Sequence, residues 1–532
     1  MPPNPDTILT AESIAVRFPR AIRDAVHDVS LTLRSGETLA ILGPSGSGKS
    51  TLALALLGAI PALIPGAVQG TIRWADLPSH RLVAGTGIAS AVLQDTDAHL
   101  VALTVEDEVA FALENRGLPA EEIDSRVAMA IARPPGAGLG RRDRTLTLSG
   151  GWRQRLALTA ALAEAPQALV IDEPVAHLDG DAAADAISAV DATCRAGTAA
   201  ILIEHRIDHI VHLADRVLVL GPEGRTIAMG DTEPILGDVV ARNHTIGLRL
   251  PAATIMGDAL TRAGLPADGV GDDPRILPIA LTALHLDRVS RRRSASMPCL
   301  MIEKAALRRG RKQVLEKIDL AAGAGEIVGL AGRNGAGKTS LALLAVGALS
   351  ASSGRVWRQF GNAPIYVPQN PALAFATSSL RMEAERRGIS WTVAADAIAR
   401  CGIVPDPGRH PLAFSHGEKR RIALALALSL PGSRLVILDE PASGLDGFGL
   451  AALDADIAAL RTGGSAVIVI AHDLDWLASV ADRIAVMENG RIVADEPSAI
   501  ILERAVGGRL PLRPPPAAAL AAQLGWTFAA TS

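Results

Sequence analysis

The 532-residue chain is 49% apolar and 20% charged, ample for packed cores and too apolar to remain disordered. Its formal net charge of −4 gives no chain-wide attraction to nucleic acid. The three cysteines, Cys194, Cys299 and Cys401, are scattered, which excludes a clustered metal spacing and a disulfide framework and fits a reducing compartment.

In chain order, MPPNPDTILT lacks the positive start and apolar run of a signal peptide. TLAILG (38–43) is a short apolar run ending in glycine, the pattern of a buried strand, and runs into a loop and an Ala/Leu-rich helix. The most apolar stretch, LALALLGAIPALIPGAV (52–68), is interrupted by Pro61 and Pro65 and is short for a bilayer span. A chain that is not integral to a membrane is therefore expected. ALVID and AAILIEH read as further buried parallel strands. Between about 235 and 297 the pattern loosens into Pro, Gly and Asp and ends in SRRRSAS (290–296). That basic run reads as a solvated linker, with contact to anionic lipid headgroups as the alternative. IVGLAG (327–332), LVILD and AVIVIAH then repeat the buried-strand pattern.

The second half repeats the first. GPSGSGKST (43–51) returns as GRNGAGKTS (332–340), LSGGWRQR (148–155) as FSHGEKRR (414–421), ALVIDEP (168–174) as LVILDEP (435–441), and ILIEHRID (201–208) as IVIAHDLD (468–475). The last three recur at nearly one offset. The interval between first and second motifs is shorter in the second half.

Both glycine-rich segments fit G-x-x-x-x-G-K-[ST]. Such a loop turns backbone N–H groups inward at a helix N-terminus to cradle phosphate. The candidate binding residues are Gly43, Pro44, Ser45, Gly46, Ser47, Gly48, Lys49, Ser50 and Thr51, and Gly332, Arg333, Asn334, Gly335, Ala336, Gly337, Lys338, Thr339 and Ser340. Lys49 and Lys338 are expected on the β- and γ-phosphates, with Ser50 and Thr339 on Mg²⁺. The chain has only six lysines among 52 basic residues, and two occupy these loops, where a compact ammonium suits and a planar guanidinium does not. Asp172-Glu173 and Asp439-Glu440 each end an apolar strand. In such a pair the aspartate is expected to hold Mg²⁺ and the glutamate to polarise the attacking water. His205 and His472 follow their glutamates at one interval, at a strand end from which a side chain can reach the γ-phosphate. A metal site made by His205, His209 and His212 is the lesser reading.

These motifs, in this order and twice, resemble the Walker A, signature, Walker B, D-loop and H-loop elements of the ABC ATPase superfamily. The resemblance implies an ATPase of α/β class: two tandem P-loop NTPase domains, each with a core parallel sheet, an antiparallel β subdomain and an α-helical subdomain. They would occupy 1–235 and 299–500, with an extension and linker at 236–298 and a C-terminal extension at 501–532. It implies Mg²⁺-sensing Q-loop glutamines at Gln94 and Gln369, D-loop aspartates at Asp179 and Asp446, and an adenine-stacking aromatic at Phe18. In the second half the corresponding place is near Arg309, where no aromatic stands. It also implies composite sites, in which one half's P-loop faces the other half's signature, so that the chain closes on itself as a pseudo-dimer. Lys49, Ser50, Asp172, Glu173 and His205 would then pair with Ser415, His416 and Gly417; Lys338, Thr339, Asp439, Glu440 and His472 would pair with Ser149, Gly150 and Gly151. Because His416 stands where the first copy has Gly150, two ATP-competent sites of unequal rate are expected, the Lys49 site being slower.

After Gln94, DTDAHLVALTVEDEVAFALENRGL resembles ATPases of energy-coupling factor (ECF) importers of vitamins and metals. The G-x-R-L-P segments at 247–266 and 507–526, each followed by an amphipathic pattern, resemble their C-terminal extensions. NPALAFATSSLRMEAERRG, after Gln369, matches that pattern poorly. The resemblance implies membrane-embedded scaffold and substrate-binding partner subunits, no nucleic acid, and a peripheral place on the cytoplasmic side of the plasma membrane. The alternatives are a twin ATPase of a sugar or peptide importer, and a soluble twin-ATPase factor acting on ribosomes.

Overall fold

The computed structural model describes the chain outside residues 1–5, 20, 85, 94–99, 176–177, 179, 205–209, 250–296, 311, 360–362, 415, 431, 433–434, 515–517 and 520–532. Of the expected extension and linker at 236–298, residues 250–296, with the basic run at 290–296, lie outside the described residues, as do 250–266 of the first expected amphipathic extension and 515–517 and 520–526 of the second; helix Thr232–Ile246 runs through the start of the expected linker. The chain divides into two units, Met1–Thr254 and Ile255–Ser532.

In the first unit β1 (Thr7–Arg17), β2 (Val26–Arg34), β4 (Ala67–Trp74) and β5 (Leu77–Pro78) form an antiparallel sheet in the order β2-β1-β4-β5. A second sheet holds β3 (Thr38–Leu42), β6 (Ala89–Val92), β7 (Ala168–Asp172), β8 (Ala199–Ile203), β9 (Arg216–Leu220) and β10 (Thr226–Asp231), in the order β10-β9-β3-β8-β7-β6. A core parallel sheet is the expected arrangement. The structure keeps five parallel strands and adds β10 antiparallel to β9 at the edge. β3, β7 and β8 are buried at every position, as continuous apolar runs covered on both faces must be. One face packs on the antiparallel sheet and helix Lys49–Leu56, the other on helices such as Gly180–Arg195. A separate helical core gathers Val105, Val109, Leu113, Val127, Ile131 and Leu156.

The second unit repeats this plan. β11 (Pro298–Arg309), β12 (Lys312–Gly323) and β14 (Ser353–Arg358) form a three-stranded antiparallel sheet. β13 (Ile327–Gly332), β15 (Ile365–Val367), β16 (Leu435–Asp439), β17 (Ala466–Ile470), β18 (Arg483–Glu488) and β19 (Arg491–Pro497) run in the order β15-β16-β17-β13-β18-β19. In each unit the glycine-rich loop follows the carboxyl end of an interior parallel strand, where open α/β sheets place ligand crevices. Among the described residues no helix is long and apolar enough to cross a membrane.

Candidate functional site

Each glycine-rich loop ends on a helix whose first residue is the motif lysine, Lys49–Leu56 and Lys338–Val346. The residue before it, Gly48 (φ 86°) or Gly337 (φ 103°), is left-handed. A Cβ on Gly48 would lie 2.2 Å from the Ala25 carbonyl oxygen, so the turn admits glycine alone. Lys49 Nζ donates to the carbonyls of Gly43 and Pro44, both at 2.8 Å. Lys338 Nζ donates to those of Gly332 at 2.6 Å and Arg333 at 3.0 Å. Both lysines are buried, so each cation is held inside its own loop, at the N-terminus of a helix, where an anion is favoured.

β7 and β16 deliver the acidic pairs beside these loops. Thr339 Oγ1 donates to Asp439 Oδ2 at 2.9 Å, and the Ser50 hydroxyl likewise bonds Asp172. Burial, then the neighbouring Glu173 carboxylate, pushes the Asp172 carboxyl up to about 7; burial and Glu440 push Asp439 up in the same way. A buried carboxylate beside a hydroxyl, with burial outweighing the nearby lysine charge, is a hard-oxygen donor set that suits Mg²⁺. Glu173 (φ 58°) and Glu440 (φ 53°) both occupy the left-handed region that non-glycine residues rarely enter. Their N–H groups donate across the sheet to the carbonyls of Ile203 at 2.8 Å and Ile470 at 2.9 Å. The same strained corner in both halves turns each glutamate off the strand end, the kind of local strain that clusters at working sites. His472 Nε2 lies 3.3 Å from Glu440 Oε1, so the structure brings these two expected residues together.

Gln94, Asp179, His205 and Ser415 lie outside the described residues. His416 opens helix His416–Leu428. Ser149 is the exposed N-cap of helix Gly150–Ala163, and its hydroxyl makes no cap bond. A Cβ on Gly150 would meet nothing within 4 Å. Glycine there is not demanded by its own half, so a side chain at that position is felt only by what approaches from outside. Trp152 turns onto its own helical region: a Cβ on Gly138 (φ 97°) would lie 2.8 Å from its ring, and the Arg155 guanidinium lies 4.4 Å from its centroid. Phe18 is half-buried against the first core and Arg309 is exposed. Asp446 is buried and caps helix Gly447–Thr462, its Oδ1 accepting from Gly449 N at 2.7 Å.

Sequence reasoning missed three features. Gln154 Nε2 donates to the Glu173 carbonyl at 3.1 Å; at the matching place Arg420 donates to the carbonyls of both Glu440 and Gln369. Tyr366 Oη donates to Asp439 Oδ2 at 3.1 Å, and burial beside that carboxylate pushes the phenol up. Third, the loop before each helical region is pinned by a buried glutamate. Glu108 Oε2 accepts from the N–H groups of Val101 (2.9 Å) and Ala102 (2.7 Å), and Glu383 Oε2 from those of Ala376 (2.9 Å) and Thr377 (3.2 Å). The poorly matching second segment therefore builds the same anchor. Its helix is shorter, Leu380–Arg386 against Val105–Asn115, which hides the repeat.

The two anchors titrate in opposite directions. Burial raises Glu108 above the usual carboxylate range, against the pull of its two amide donors. Burial also raises Glu383, but Arg386, the Ala376 amide, Thr377 and Arg387 outweigh it and hold the carboxyl at about 2. Glu383 therefore adds stability that is present above the unfolded carboxylate range and is lost as pH falls toward 2; Glu108 adds stability at low pH that is lost as pH rises through its folded value. Glu383→Gln at neutral pH leaves two arginines without their carboxylate and is expected to cost about 3 kcal/mol, against little change for Glu108→Gln, where burial disfavours the charged form that the amide replaces. Hydrogen exchange of the Val101/Ala102 and Ala376/Thr377 amides checks this, and the gap between the variants should narrow in acid.

Comparison with known proteins agrees with this geometry. The profile of the family described as ABC transporter matches residues 26–176 and 315–443. A protein of Streptomyces avermitilis, named provisionally as an ABC transporter ATP-binding protein, is 32% identical over 92% of this chain and 94% of its own. A Bacillus subtilis protein, named provisionally as an HMP/thiamine import ATP-binding protein, is 26% identical over 94% of each. The solved structure titled RNase-L Inhibitor superposes with a TM-score of 0.61 at 19% identity, covering 94% of this chain and 93% of that one, a likeness of fold. The chain belongs to the ABC transporter family and is an ATPase with two fused ATP-binding domains.

Proposed function

We propose that this ATPase energises an importer of the ECF type, moving a vitamin or a transition-metal ion, from the cytoplasmic face of the plasma membrane. Lys49 and Lys338 hold the β- and γ-phosphates of ATP. Ser50 with Asp172, and Thr339 with Asp439, hold Mg²⁺, with Gln94 and Gln369 as its sensors; the ion neutralises charge on the transferring phosphoryl group. Glu173 and Glu440 take the proton of the attacking water, and His205 and His472 face the γ-phosphate. Each set works with the other half's signature, Ser415 to Gly417 or Ser149 to Gly151, so that ATP draws the halves together and hydrolysis releases them.

The observation that carries the importer reading is the surface beside the Glu108 anchor. Val101 (61% exposed), Leu103 (74%) and Leu146 (77%) are open to solvent. They are tied together by the bond from Thr145 N to the Leu103 carbonyl, and Glu106 and Asp107 follow in the first turn of the next helix. Exposed apolar groups with a mixed charged rim, Glu106 being paired with Arg141 and Arg153 bonding the Leu146 carbonyl, suit an amphipathic helix of a membrane scaffold subunit. The import name carried by the Bacillus subtilis relative points the same way. Affinity isolation of the full chain from detergent-solubilised membranes should recover integral membrane partners, and Leu103→Asp with Leu146→Asp should release them. Recovery with ribosomes instead would overturn the reading.

A further inference from the structure

The two metal-binding corners are not built alike. In the second half, Asp439 Oδ2 accepts from both Thr339 Oγ1 and Tyr366 Oη, at 2.9 and 3.1 Å. Tyr366 lies on β15 opposite Ile437, two residues before Asp439; in the first half the residue opposite Val170, two before Asp172, is Ala91. Alanine has no donor to offer, so Asp172 lacks this second hydroxyl. Two donors on one oxygen fix the rotation of a carboxylate that a single hydroxyl leaves freer, and a fixed carboxylate loses less entropy when a cation is captured.

We infer that Tyr366 is a positioning residue that pre-sets Asp439 for the divalent ion of the second ATP site, a brace that Ala91, at the matching place of the first half, cannot supply. The inference rests on the reading above that Asp439 holds Mg²⁺. It adds a cause of inequality between the sites that lies inside the second half and owes nothing to the His416 substitution.

The test uses the full chain carrying Asp172→Asn, which removes the first half's proposed metal carboxylate, with a non-hydrolysable ATP analogue and Mn²⁺ as the metal. Tyr366→Phe keeps the ring and removes the hydroxyl. Mn²⁺ affinity read by electron paramagnetic resonance should fall about tenfold, the scale of one hydrogen bond to a charged group, while affinity for the analogue without metal stays the same. A folded Phe variant with undiminished Mn²⁺ affinity overturns the inference. The chain contains a single tyrosine, so 3-fluorotyrosine labelling gives one fluorine resonance that reports on this corner. Mn²⁺ with the analogue should broaden it and Mg²⁺ should shift it. Absence of broadening means that Asp439 does not hold the metal, and both readings fall. Broadening by Mn²⁺ without a shift by Mg²⁺ overturns the Tyr366 inference alone, and it decides the matter should the Phe variant not fold.

Discussion

Glu440→Gln should lower steady-state phosphate release by about a hundredfold or more, the scale of a lost general base, whereas Glu173→Gln should leave a large part of it. Glutamine keeps the shape of the side chain and the left-handed corner (φ 53° at Glu440), so the loss is in proton acceptance and not in folding. Two independent features favour the second site. The proposed pairing gives Glu440 the unaltered LSGG signature and leaves FSHGE to Glu173. His416 stands in that second copy where the first has Gly150, at which a Cβ would meet nothing within 4 Å. Within the second half, Arg420 bonds the Glu440 carbonyl and the Gln369 carbonyl together, where neutral Gln154 bonds the Glu173 carbonyl. A buried guanidinium with two carbonyl partners holds the glutamate and the Q-loop in one piece more firmly than an amide can. Equal and severe losses in both variants would mean that the sites turn over in obligatory coupling and that His416 is tolerated variation.

What could be read from the sequence was what chemistry forces to be local. The P-loop needs its glycines and lysine in consecutive positions, and a buried parallel strand needs an unbroken apolar run, so β3, β7 and β8 and their counterparts were visible, as were the acidic pairs at their ends. The repeat made each of these signals count twice. The features that escaped depend on partners far away in the chain. Nothing near Tyr366 announces Asp439, which becomes its neighbour only when β15 pairs with β16. Glu108 and Glu383 look like ordinary surface carboxylates of a first helical turn; their role appears only when the preceding loop folds back on them. The antiparallel edge strands β10 and β19 escaped because they are mixed in polarity, with half-exposed positions that resemble loop.

Lys338→Arg is expected to be as damaging as Lys338→Ala, each lowering turnover by about a hundredfold or more, equivalent to roughly 3 kcal/mol of transition-state stabilisation. Charge is conserved in the arginine variant, so charge is not what fails. Lys338 Nζ sits at the first residue of its helix, buried, with carbonyl oxygens at 2.6 and 3.0 Å within its own loop. A single tetrahedral nitrogen can donate to two such carbonyls and present its third proton to phosphate; a planar fork of larger radius cannot do both from the same Cα. The chain's composition argues that this is selective and not habitual. It uses arginine nearly everywhere a cation is needed, with six lysines among 52 basic residues, yet both P-loops carry lysine. Lys49→Arg provides the internal comparison. If the second site carries most of the turnover, Lys49→Arg should lower it less than Lys338→Arg in the same phosphate-release assay, while nucleotide binding, measured separately, should fall at each altered loop. Turnover that survives Lys338→Arg near the unmodified level would show that the site asks only for a positive charge, and the geometric argument for lysine would fail.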